Sequence, residues 1–111
     1  MLSSSDLKAV EEYLKNLSGV NLSYPHGKSV AVFSINDIAF AYLEGAKHTT
    51  RLGVRSDPRL AQLLKDKYEE VLSGQKLNPK IWITIVLSGQ LTYAELTALI
   101  DHSYQLAQQA T

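Results

Sequence analysis

Apolar positions change their spacing several times along the chain, and each change marks an element. Leu7, Val10, Leu14 and Leu17 recur every three or four residues behind Ser4 and Ser5, which predicts an amphipathic helix over about residues 5–17 with a serine cap. Gly19 closes it. Tyr24-Pro25-His26-Gly27 reads as a turn, since proline fixes one φ angle and glycine permits a positive one. Lys28 to Ile35 reads as a strand, and Asn36-Asp37 as a tight connection into a second strand over residues 38–43. On that second strand Ile38, Phe40 and Tyr42 share one face and Ala39, Ala41 and Leu43 the other, so the bulkier face is expected to meet the helices.

Thr50 to Arg55 alternates cleanly. Leu52 and Val54 point one way, while Arg51, Gly53 and Arg55 point the other. Asp57-Pro58 has the chemistry of a helix start, and Leu60, Leu63, Leu64 and Val71 give an apolar stripe that predicts a helix over about 58–71, stopped by Ser73-Gly74. A short strand over residues 75–77, a turn at Asn78-Pro79 and a β-branched strand from Ile81 to Leu87 complete a second hairpin. Thr92 and Glu95 have capping-box spacing, opening a last helix with Leu96, Leu99, Ile100, Ser103, Tyr104 and Ala107 along one face.

The resulting order is α-β-β-β-α-β-β-α. Hairpins without strand-helix-strand alternation imply an antiparallel sheet, so the expected fold class is α+β: a two-layer sandwich with helices on one face of the sheet, as a single domain over residues 1–111. A chain of 111 residues buries roughly two thirds of its unfolded surface and folds without staples. It contains no cysteine, which excludes disulfides and thiolate metal sites and fits a reducing compartment. The start of the chain has no basic-then-apolar leader, and no apolar run reaches the roughly 18 residues of a membrane span, so a cytoplasmic location is expected.

Charge sharpens the picture. The formal net charge is zero, yet residues 1–46 carry a net −2, residues 47–80 a net +4 and residues 81–111 a net −2. Within the basic middle, Arg51 and Arg55 share a strand face across Gly53, whose missing side chain would leave a flat gap between two guanidinium groups. Lys47 precedes that strand, while Lys76 and Lys80 bracket the turn of the second hairpin. Trp82 lies out of phase with Ile81, Ile83 and Ile85, so if the isoleucines meet the helices, Trp82, Thr84 and Val86 lie on the uncovered face. An indole there is a candidate for stacking a base. The candidate nucleic-acid contacts are therefore Lys47, Arg51, Arg55, Lys76, Lys80 and Trp82. The same charges also serve solubility, and Trp82, Val86 and Val32 exposed together would instead suit a protein partner or a homodimer.

Catalytic and metal constellations are weak. Asp101-His102-Ser103 are consecutive helical residues that diverge by about 100° each and cannot form a proton relay. His26, His48 and His102 lack ligand spacing, Glu11 and Glu12 do not share a helix face, and no phosphate loop or nucleophile elbow is present. No enzyme activity and no cofactor are expected.

Four short motifs, in register along nearly the whole chain, carry a likeness beyond spacing: Tyr-Pro-x-Gly at 24–27, Leu-x-Val-Arg-x-Asp-Pro at 52–58, Asn-x-Lys-x-Trp-Ile-Thr at 78–84 and Leu-Ile-Asp-x-Ser-Tyr at 99–104. Together they resemble the MmcQ/YjbR family. That resemblance implies a small bacterial α+β domain with a frataxin-like (CyaY-like) or secretion-chaperone-like fold, without established enzyme activity, and labelled DNA-binding by analogy with a double-wing fold. The chain departs from the family pattern at Arg55, where lysine is usual, at Pro79 and Ile81, where a basic residue and histidine are usual, and near Lys76, where an aromatic-His-Met run is usual. A frataxin-like iron surface wants a carboxylate ridge on the first helix, but Asp6, Glu11 and Glu12 there are interrupted by Lys8 and Lys15.

Overall fold

A computed structural model describes residues 4–25, 27–45, 50–73 and 81–109, with side chains from Leu7 onward. The elements are α1 (Ser4–Lys15), β1 (Asn21–Ser23), β2 (Val30–Ile35), β3 (Ile38–Gly45), β4 (Thr50–Arg55), α2 (Pro58–Lys67), β5 (Val71–Ser73), β6 (Trp82–Val86) and α3 (Tyr93–Gln109). The expected order holds, with one addition: β1, three residues long and exposed throughout, pairs along the outer edge of β2. All pairings are antiparallel, in the spatial order β1-β2-β3-β4-β6-β5. The fold is α+β, a six-stranded antiparallel sheet with three helices.

Alternation within the strands decides which residues meet the helices. Leu43, Leu52, Ile85 and Val71 form one row across four strands, and Ala41, Val54 and Ile83 a second. These residues share one apolar core with Val10 and Leu14 of α1, Ala61 of α2, and Leu96, Leu99, Ile100 and Ala107 of α3. The helices thus lie over one face, and the periodic stripes of α1 and α3 are the surfaces that cover it.

The caps follow their sequence signals. Asp57 Oδ1 accepts from the backbone N–H of Arg59 at 2.7 Å, with Pro58 in the first turn of α2. Thr92 and Glu95 complete a reciprocal box: Glu95 Oε1 accepts from Thr92 N–H at 2.9 Å, and Thr92 Oγ1 accepts from Glu95 N–H at 3.2 Å. Tyr68 donates its hydroxyl to Glu95 as well, tying the end of α2 to the start of α3. These bonds hold the Glu95 carboxyl below its ordinary range, the Thr92 backbone contributing most. The serine caps expected for α1 involve side chains outside those described.

α2 is shorter than its apolar stripe suggested. Tyr68 turns extended at the C-cap, so Val71 leaves the helix, enters β5 and reaches the core from the sheet, while Leu63 is 61% exposed. β5 therefore precedes residues 75–77, which lie outside the described residues, as does the turn at Asn78-Pro79. The β2–β3 connection is a two-residue turn in which Asn36 and Asp37 both have positive φ, at 50° and 65°. Asn and Asp tolerate that region better than other non-glycine residues, and such turns match the twist of a hairpin.

The expected phase of β3 is corrected by a bulge. Phe33 pairs with Ala41 but Ser34 pairs with Ala39, leaving Phe40 as an extra residue. Phe40 and Ala41 are consequently both buried on the helix side, with the Phe40 ring edge-on to Tyr104 of α3 at 5.4 Å. Tyr42, expected beside Phe40, is carried to the opposite face and lies over Gly53. Phe40 stands where a continued ladder would place it opposite Arg55, and the bulge breaks that ladder. Ser103 of α3, fully buried, repairs it: its hydroxyl accepts from Arg55 N–H at 2.8 Å and donates to the Phe40 carbonyl.

Two further bonds join α1 and its following turn to α3. Tyr13 donates to Asp101, and Tyr104 donates to the Ser18 carbonyl. The bond to Asp101, helped by partial burial, pushes the Tyr13 hydroxyl up from its usual 10.0 to about 12. Between those values an unfolded chain releases the phenolic proton while the folded chain keeps it.

Three outcomes are expected. Ser103→Ala strands two buried backbone groups and lowers stability by about 1–3 kcal/mol in urea denaturation. A Cβ at residue 53 falls 1.9 Å from the Tyr42 ring, so Gly53→Ala is destabilising by about 1–3 kcal/mol, and the loss shrinks in a Tyr42→Ala background. Stability falls as pH rises from 10.0 toward about 12, and Tyr13→Phe removes that part of the slope in urea midpoints measured across the range.

Candidate nucleic-acid interface

The helix-free face is built from the alternate residues of β3, β4 and β6. Because Leu52 and Val54 are held in the core, Arg51, Gly53 and Arg55 emerge opposite them, as their alternation predicts. Ile83 and Ile85 fix Trp82, Thr84 and Val86 on the same side. Residues four apart on a strand are separated by roughly 13 Å, which sets the reach between the bases of the two arginines.

Arg55 and Trp82 are direct cross-strand partners. The Arg55 guanidinium carbon sits 5.2 Å from the indole centroid, a cation–π distance. Its Nε–H donates to the Ala39 carbonyl at 2.7 Å, beside the bulge, while its backbone N–H is held by Ser103. The Tyr42 ring also lies near the indole, 5.9 Å away and tilted by 35°, and the Tyr42 hydroxyl bonds Thr84 Oγ1 at 2.8 Å.

Two expectations change here. Trp82 is on the uncovered face, yet only 4% exposed, because Arg55 and Tyr42 lie against it. It offers no free ring to a base, and it does not combine with the half-buried Val32 and Val86 into an exposed apolar patch. The flat gap expected at Gly53 is filled by the Tyr42 ring, which rests where a Cβ would be. Lys47, Lys76 and Lys80 lie outside the described residues, as do His26 and His48.

Arg51 occupies a looser setting. Across β3 its Nη1 is 3.9 Å from Glu44 Oε1, with the two side chains 35% and 29% exposed. Its Nε is buried and has no hydrogen-bond partner among the described residues. An orphaned donor of a charged group costs more than a neutral one, while the exposed part of the guanidinium remains able to donate to an anion. Tyr42 and Glu44 were not among the residues singled out from sequence. Tyr42 is hidden by the bulge, and Glu44 by an expected strand end at Leu43, two residues short of Gly45.

The three consecutive residues of α3 point to three different places. Asp101 accepts from Tyr13, His102 Nε2 accepts from Asp57 N–H at 3.3 Å, and Ser103 serves the bulge. Among the described residues no three His, Asp or Glu side chains gather in a metal-holding group, and no helix is long and apolar enough to cross a membrane.

The YjbR family model matches residues 15–106. The chain is 26% identical over 96 residues to the uncharacterised protein YjbR of Escherichia coli K12, covering 86% of this chain and 81% of that one. It is 27% identical over 105 residues to the uncharacterised protein YbdF of Escherichia coli O157:H7, covering 91% and 86%. Among solved structures it resembles Deinococcus radiodurans protein DR2400, with its DUF419 domain, at a TM-score of 0.83 and 21% identity over 93% of this chain and 78% of that one. A Pseudomonas syringae protein gives a TM-score of 0.78 at 24% identity, over 96% and 99%. The fold is therefore shared with these structures, and with the family model spanning the first helix's end to the last helix, the chain belongs to the YjbR family.

Proposed function

We propose that the protein is a non-enzymatic binding module whose helix-free sheet face takes the phosphate backbone of DNA. The reading rests above all on the guanidinium of Arg51, 35% exposed and met by Glu44 only at 3.9 Å, four residues along one strand from a second, positioned guanidinium. Guanidinium forks suit phosphate because they donate in pairs. Arg55 is held by Trp82 and the Ala39 carbonyl, so it loses little side-chain freedom on engaging an anion. Trp82 acts in this reading as the support of Arg55. Lys47, Lys76 and Lys80 flank the face in sequence and add charge to the same third of the chain.

With about three phosphates neutralised, log affinity should fall with log salt at a slope of roughly −2 to −3, and binding should be weak. The measurement is fluorescence anisotropy of labelled single- and double-stranded DNA at low salt, with Trp82 emission followed in parallel. Arg51→Ala should weaken binding to all sequences alike and reduce the salt slope by about 1. No binding at roughly ten-micromolar protein and low salt, well inside the nonspecific range, would end the proposal.

A further inference from the structure

The other face of the sheet carries a second feature. Near the N-terminal half of α1 the helix side is incompletely filled, and a groove of about 660 Å³ opens there, floored by Leu7, Ala31 and Leu43. Its cause lies in side-chain volume. Along β2, Phe33 fills the core, but two residues earlier stands Ala31; Leu43 on β3 and Leu52 on β4 likewise give way to Gly45 and Thr50. A Cβ built on Gly45 meets nothing within 4 Å. The groove is open to solvent, its apolar residues are edged by Tyr24, Ser29 and Thr50, and its volume falls within the roughly 300–1,000 Å³ of small-molecule sites.

Charge indicates what fits. Lys8 and Lys28 line the groove, both exposed and both without an ion-pair partner among the described residues. The carboxylate in the lining, Glu11, is paired with Lys15 at 3.1 Å. We propose that this groove binds a small amphipathic anion, a carboxylate or sulfonate on a compact apolar body. The apolar part lies on Leu7, Ala31 and Leu43, and the acidic head meets Lys8 and Lys28. The site is separate from Arg51 and Arg55, which emerge from the opposite face of the sheet.

The probe is 8-anilinonaphthalene-1-sulfonate, titrated into the full chain, with decanoate and decanol as competitors. Saturable one-to-one emission enhancement is expected, displaced several-fold more effectively by decanoate than by its uncharged alcohol. Gly45 has no positive φ, so Gly45→Leu fills the groove without backbone strain and should abolish the enhancement. Reversing both charges with Lys8→Glu and Lys28→Glu should weaken binding roughly tenfold. Near-ultraviolet circular dichroism establishes that each variant keeps its tertiary packing. Absence of saturable enhancement, equal displacement by decanol, or indifference to Gly45→Leu or to charge reversal would overturn the proposal. Arg51→Ala should leave dye binding unchanged, and displacement of the dye by an oligonucleotide would place it on the sheet face and equally overturn the groove assignment.

Discussion

Much of the molecule turns on one hydroxyl. A bulge inserts Phe40 into β3 and breaks the ladder with β4, which would leave a donor and an acceptor without partners inside the protein. Ser103 of α3 answers both, accepting from Arg55 and donating to Phe40. The last helix is thereby locked to the sheet at the position where the sheet is irregular. The bulge also shifts the side-chain alternation of β3 by one. Phe40 can then meet Tyr104 under α3 while Tyr42 crosses to the far face.

Arg55 stands at the junction of scaffold and surface. Its backbone is bonded to Ser103, its Nε to Ala39, and its guanidinium plane covers the indole. A residue held at three points, two of them on its side chain, is preorganised but not freely available. Arg51 contrasts with it on the same strand, with one distant carboxylate and one unmet donor. The two arginines are thus unequal: one is tied into the sheet, and the other, 35% exposed, has its nearest ion-pair contact at 3.9 Å.

Local chemistry made much of this fold legible. The stripes of α1 and α3, the Asp57 cap, the Thr92–Glu95 box and the Asn36-Asp37 turn each depend on residues within a few positions of one another, and each is found in place. The alternation of β4 is equally plain, because Leu52 and Val54 interleave with Arg51, Gly53 and Arg55. What was obscured depended on distant partners. Three apolar residues, Phe40-Ala41-Tyr42, give no hint of which is the extra one, since the bulge is fixed by Ser103 more than sixty residues away. Val71 looked helical by spacing, yet pairing with Ile85 draws it into β5. The burial of Trp82 likewise came from neighbours on two other strands, and no single-strand pattern discloses how a face is covered.

The extreme brevity of β1 has a bearing on how this border of the sheet meets other chains. An antiparallel sheet ends in unpaired amide and carbonyl groups, and a long flat margin invites other chains to extend it into aggregates. Here one margin is only three residues long, followed at once by Tyr24 and Pro25, and proline cannot donate to a ladder. A strand arriving from another molecule would find little template along this border.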